Sequence, residues 1–189
     1  AVFALMFLPL LAAFLIYRNL LTAFKGVLTG KICAFHGFDY QAHGFDFPIE
    51  DFGPLLPPHH SKRLEDRIAG RHEGVDFALC EGRFKRRSGG NSGKDREVFR
   101  GVLLSVDFHK PFNGETVLTP DWNVAANMLE RIRQNGERIQ LESLVFEDQF
   151  EVYSTDPLEA RYLLSPAFME KVLQLVRHVG GRKGLELAF

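Results

Sequence analysis

The chain has 189 residues, room for one ordinary domain and an appendage but tight for two. Lys+Arg 23 against Asp+Glu 24 leaves a net charge of -1, with no electrostatic footprint for a phosphate backbone, so nucleic acid is excluded as a leading partner. Cys33 and Cys80 stand far apart without CxxC spacing, which excludes a zinc knuckle and a disulfide framework and fits free thiols in a reducing compartment.

The first seventeen residues, Ala1 to Tyr17, carry no charge, and Arg18 follows. At about 1.5 Å per residue they cover roughly 25 Å of a hydrocarbon core of about 30 Å, and the pattern predicts a transmembrane helix. A secretion signal needs a basic leader and a small-x-small cleavage site, whereas Tyr17, Arg18 and Asn19 stand here. Because the chain opens on Ala1, it is read as a piece of something longer. Arg18, Lys25 and Lys31 are the only charges before Asp39 and place the following domain on the cytoplasmic side. Leu20, Leu21, Phe24, Val27 and Leu28 recur at helical spacing, so residues 1–28 are expected to be a span with a juxtamembrane extension. That extension either lies along the interface or leads directly into the first strand.

Residues 31–41 alternate as a strand does, through Ile32, Ala34, His36, Phe38 and Tyr40. Residues 46–60 hold Pro48, Gly53, Pro54, Pro57 and Pro58 and read as a connector. Residues 63–72 and 75–87 flank Glu73-Gly74 as a hairpin. Residues 97–108, with Val102, Leu103, Leu104 and Val106, read as a central strand, and 115–119 as a strand pairing back across Asn113-Gly114. Then the period changes. Thr119 and Pro120 open a helix with Val124, Ala125, Met128, Leu129 and Ile132 on one face, stopped by Asn135-Gly136. Phe150 and Val152 mark another strand, Asp156 to Glu159 has capping-box spacing, and Ser165-Pro166 starts a helix bearing Phe168, Met169, Val172, Leu173 and Val176. Residues 185–189 read as a strand whose partner lies outside the chain. The expected fold class is α+β: one antiparallel sheet with helices on one face, over residues 29–189, behind an N-terminal transmembrane helix, the domain being incomplete at its C-terminus.

Chemically specific motifs are scarce. The glycine-rich stretch Arg87 to Asp95 resembles a phosphate loop, but Ser88 stands where a glycine is needed, Asp95 where a magnesium-holding hydroxyl is needed, and no helix follows. Its surroundings are basic, and Arg83, Lys85, Arg86, Arg87, Lys94 and Arg96 form a candidate contact for anionic lipid headgroups beside a membrane; the rival reading is a solvated hairpin. His59-His60 lacks the spacing of a metal site, and His109 beside Asp107 and Lys110 has no marked nucleophile to serve. Cys80 reads as a small buried hydrophobe and Trp122 as a packing anchor. The aromatic-rich run 35–52 either lines an apolar groove or forms a packing layer. No catalytic, cofactor or metal residue is assigned.

Phe99-Arg-Gly-Val-Leu-Leu-Ser-Val-Asp-Phe108, continuing through Lys110-Pro-Phe112 to Asp121, resembles a bacterial membrane-protein family known as domain-of-unknown-function family 3137. Phe150-Glu-Val-Tyr153, Asp156, Glu159-Ala-Arg-Tyr162, Leu164-Ser-Pro166 and Met169 resemble its most recognisable block, and the likeness covers most of residues 31–189. The resemblance implies a cytosolic α+β domain hung from one or two hydrophobic helices at the bacterial inner membrane, and it implies no reaction. The expectation is therefore a membrane-anchored protein that binds a protein partner or the membrane surface without catalysis. The alternative is an enzyme acting on a membrane-associated or small cytosolic substrate through distant histidines and acidic residues gathered by the fold.

Overall fold

A computed structural model of the chain describes residues 17, 20, 23–53, 55–87, 95–120, 136–179 and 185–189. Among these, the strands form two antiparallel sheets, and the chain divides into two compact units where a single sheet was expected. The α+β class holds. The first unit takes residues 1–47 and 59–109, and the second takes 48–58 and 110–189. Of the expected transmembrane helix over residues 1–17, all but Tyr17 lies outside the described residues; among the described residues no helix is long and apolar enough to cross a membrane.

In the first unit the sheet order is β1 (Asp39–Gln41), β2 (Ser61–His72), β3 (Val75–Arg87), β4 (Asp95–Val106). The hairpin at Glu73-Gly74 forms as expected, both turn residues taking positive φ (50° and 84°), which matches the twist of the flanking strands. Two register shifts follow. One falls between Glu65 and Ile68 of β2, where Asp66 itself sits at φ 56°, and one lies opposite Phe84/Lys85 of β3, where Val98 is the extra residue of β4. An extra residue of this kind turns the side chains beyond it onto the opposite face.

Residues 23–35 are helical, and we label them α1. This corrects the strand expected over 31–41, of which β1 keeps three residues. Alternation over a short apolar run does not by itself distinguish strand from helix, and the burial pattern shows which period governs. Gly26, Thr29, Gly30 and Cys33, at i, i+3, i+4 and i+7, are the residues of α1 that are shielded. A Cβ on Gly30 would lie 3.4 Å from the Tyr40 ring, so small residues are what allow the helix this close to the sheet. Phe38 packs edge-on to Phe77 at 5.0 Å, and its ring occupies the space where a Cβ on Gly70 would stand.

β4 was expected to be central and is an edge strand. Leu103 is buried, whereas Val102, Leu104 and Val106 are exposed on the other face. Apolar residues on both faces of β4 therefore record a packed face and an uncovered one.

In the second unit the order is β6 (Glu137–Arg138), β7 (Phe150–Ser154), β5 (Thr116–Pro120), β8 (Leu187–Ala188). β5 pairs with β7 and β8 and not with β4, and β8 finds its partner within the chain, through Val117↔Ala188 and Leu118↔Leu187. Both results correct the expectations for these strands. The loop at Asn113-Gly114 does turn, but the Glu159 carboxylate captures its amides, at 3.0 and 3.1 Å from Asn113 and 2.8 Å from Gly114. Pro120 ends β5, and the helix expected beyond it, Trp122 included, lies outside the described residues.

A short helix α2 (Leu144–Glu147) precedes β7, and α3 (Pro157–Leu163) and α4 (Pro166–His178) follow it. Asp156 caps α3 as expected, accepting from the amides of Leu158 and Glu159 at 3.0 Å each. The return half of the capping box is missing, because Glu159 is engaged by the loop while the Asp156 amide donates to Ser154 Oγ at 3.1 Å. On α4, Met169, Val172 and Val176 are buried and join Leu118, Phe146, Phe150 and Val152 in the core. On the other side of the sheet, Val117 and Tyr153 pack with Leu55 from the proline-rich connector, which contains one turn of 3-10 helix at Ile49–Phe52.

Candidate functional site

Register decides where the basic residues fall. Arg63, Arg83 and Arg100 stand directly opposite one another across β2, β3 and β4 and so share the face on which α1 lies. Lys85 and Arg87 follow on that face, whereas Arg86 turns to the other and faces Arg96. The candidate headgroup residues thus form two groups, Arg83, Lys85 and Arg87 on one face and Arg86 and Arg96 on the other, at one end of the sheet. Lys94 lies outside the described residues.

Arg63 joins this row although it escaped the sequence reading. Counting back from the Glu73-Gly74 turn without the shift at Asp66 places Leu64, not Arg63, opposite Arg83. The signal was an Asp at a strand position, a residue type that tolerates positive φ. Arg63 pairs with Glu65 at 2.5 Å and Arg83 with Glu97 at 3.3 Å; among the described residues Arg100 has no ion pair. Like charges directly opposite destabilise a sheet; the two carboxylates offset this for Arg63 and Arg83, and a further anion would do so for Arg100.

Next along the same face, α1 is pinned to the sheet. Lys25 Nζ lies 2.5 Å from Asp66 and 3.5 Å from Glu81, and Tyr40 donates its hydroxyl to Asp66 at 2.6 Å. Burial pushes the Asp66 carboxyl up, but hydrogen bonds from Lys25 and Tyr40 and the Lys25 charge outweigh it and hold the group below its ordinary value. The bond to Asp66 raises Lys25. Burial, helped by the same carboxylate, pushes Tyr40 up to about 12.

The outer side of α1 is apolar. Phe24 is 67% exposed and Phe35 85%, and Leu20, Val27, Leu28 and Ile32 are exposed with them. The usual arrangement is inverted here, with small residues facing the protein and large apolar ones facing away. The aromatic-rich run is likewise divided: Phe35 is exposed, Phe38 covers Gly70, and Phe47 and Phe52 are buried.

His72 and His109 are exposed at the ends of β2 and of the segment after β4, far from any shared cluster in the sequence. His60 Nε2 stands 3.4 Å from Asp95, and the His59 ring packs on Phe84 at 4.5 Å, so the His-His pair is divided between a carboxylate contact and a ring contact. Among the described residues no three His, Cys, Asp or Glu side chains are grouped as for a metal ion. Cys80 is fully buried, as expected, and burial pushes its thiol up to about 11. A thiol reagent is therefore expected to leave Cys80 unmodified until denaturant is added, and modification of Cys80 in the native chain at the rate of a free thiol would contradict the packing.

The quoted motif Phe99–Phe108 is β4 with its exit, and the block Phe150–Met169 is β7, α3 and the start of α4. Residues 97–189 match the family described as Protein of unknown function (DUF3137). The DUF3137 stretch starts inside β4 and runs to the last residue, where a likeness over most of 31–189 was expected. It includes β5 to β8 and the anchoring of Asn113-Gly114 by Glu159, while Arg63 and Arg83 stand before it. No curated protein and no solved structure matches the chain.

Proposed function

We propose that the protein is anchored in the bacterial inner membrane by residues 1–17, carries its folded domain on the cytoplasmic side, and works by binding a protein partner or the membrane surface rather than by catalysis. The observation that supports this most is the outward apolar side of α1, which follows directly on a charge-free run. An isolated exposed apolar side chain is ordinary, but Phe24, Val27, Leu28, Ile32 and Phe35 together on the outer side of α1, with Lys31 among them, mark an interaction surface. The exposed Val102, Leu104 and Val106 of β4 favour a protein as a further occupant of the same unit. The basic end of the sheet is consistent with a position beside an anionic leaflet.

Fractionation of cells expressing the full chain tests the anchor. The chain is expected to stay with the membrane pellet after alkaline carbonate, and release into the supernatant refutes the span. Co-purification from solubilised membranes tests the binding surface. Phe24→Glu/Ile32→Glu alters exposed positions, so the fold is retained, and the variant is expected to lose proteins or lipids that the parent chain retains. An identical set from both chains would count against α1 as the surface.

A further inference from the structure

We propose that the basic end of the first sheet is a binding site for the phosphate groups of anionic lipids, with the Arg63, Arg83 and Arg100 row as its centre. The proposal rests on the anchored reading above and adds to it which end of the sheet meets the membrane.

The polarity of α1 supplies the argument. Lys25 lies beside Asp66 and Glu81, Gly30 beside Tyr40, and the amide of Phe38 bonds to the Cys33 carbonyl at 2.8 Å before Phe38 covers Gly70. The helix therefore advances along the sheet in the direction of β2, from Glu65 toward Gly70. Its N-terminal end points the other way, toward Arg63 and the start of β2. The arginine row lies two residues beyond the Glu65↔Glu81 pair, about 7 Å at the strand rise. In the sequence the charge-free run stands on the N-terminal side of α1, so a bilayer that receives it is placed by this proposal next to the basic end and away from the Glu73-Gly74 turn.

Chemistry agrees with this orientation. Guanidinium groups take phosphate oxygens in paired hydrogen bonds, and three of them in one row offer several such forks. Two carboxylates, Glu65 and Glu97, neutralise part of the row, and Arg100 stays without an ion pair among the described residues. Lys85 extends the cationic surface on that face, and Arg86 opposite Arg96 does so on the other. At the far end, Arg71 stands with Asp76 and beside Glu73, so that end offers no comparable excess of positive charge.

The test uses the full chain in lipid nanodiscs, one set of phosphatidylcholine and one containing phosphatidylglycerol, with arginine modification by phenylglyoxal followed residue by residue. Modification of Arg63, Arg83 and Arg100 is expected to slow on the order of threefold or more in the anionic discs and to recover in about 0.5 M salt, while Arg71 keeps one rate throughout. Arg83→Gln/Arg100→Gln, at exposed or half-exposed positions, is expected to lose the protection of Arg63. Equal rates in both discs overturn the site, as does slowing of Arg71 together with the row. Equal protection by inorganic phosphate in phosphatidylcholine discs overturns it too, since the anion is then a soluble one. A chain that separates from the discs refutes the anchored reading and the site with it, whereas a chain that stays in the discs with unchanged rates refutes the site alone.

Discussion

Phe146→Ala is expected to lower the stability of the second unit by about 3–5 kcal/mol, the range for removing a buried aromatic ring. Phe146 is fully buried, and its ring centroid lies 5.2 Å from that of Phe150. It is also the anchor of α2, a helix of four residues that has no stability of its own at that length. The Ser143 hydroxyl caps this turn at 3.3 Å from the Phe146 amide, so removing the ring leaves the cap without the contact that holds it in place. Neighbouring Leu144 and Val145 are exposed, and their alanine variants are expected to fall within about 0.5 kcal/mol of the parent chain. Urea unfolding in mild detergent separates these cases: a midpoint lower by about 1 M or more for Phe146→Ala, against little change for Leu144→Ala. Equal shifts would show that the core around α2 is not packed as described.

Asp66→Val is expected to cost the first unit about 2–6 kcal/mol, from two sources. A β-branched residue at φ 56° is strained by about 1–3 kcal/mol, and the Tyr40 hydroxyl loses its acceptor at a cost of about 1–3 kcal/mol. Asp66→Gly keeps the backbone and loses the acceptor, and Asp66→Asn keeps both apart from the charge, so destabilisation is expected in the order Val, Gly, Asn. An order with Asn as severe as Val would mean that charge, not backbone, holds the bulge.

The same cluster has a defined pH response. Asp66, held low, contributes stability that is present above its unfolded value and is lost as pH falls through the folded one. Tyr40 and Lys25, both raised, contribute stability that is fully present below their unfolded values and is lost as pH rises through the folded ones. The attachment of α1 is therefore expected to be level through neutral pH and to loosen between about pH 10 and 12, the interval from the ordinary tyrosine value to that of Tyr40. Ultraviolet titration of tyrosinate reads this directly: Tyr40→Phe should remove one step near pH 12, and an unchanged curve would contradict the burial of that hydroxyl.

Local chemistry was legible wherever it was also decisive. Glu73-Gly74 fixed a hairpin, Asp156 capped α3, and the spacing of Met169, Val172 and Val176 gave the buried side of α4. Pairing between distant segments was not legible. β5 carries the same residues whether it pairs with β4 or with β7 and β8, and the loop before it is held by the Glu159 carboxylate, 45 residues from Gly114. The end of α1 was missed because its small residues face inward, so the apolar period marks the outer side. The basic tip was found as a composition, but its division between two faces depends on alternation along β3 and its register with β4, and the admission of Arg63 on one extra residue in β2.

The proline-rich connector has a consequence for the order of synthesis. Residues 48–58 emerge early yet belong with 110–189, where Leu55 meets Val117 and Tyr153. A nascent chain must therefore hold this segment unsatisfied while the first hairpins close, and set it down only after β5 and β7 have left the ribosome. Cutting the gene between codons 109 and 110 would yield a C-terminal product lacking one wall of its own interior, and a boundary chosen by chain position alone would divide a structure that the polypeptide crosses twice.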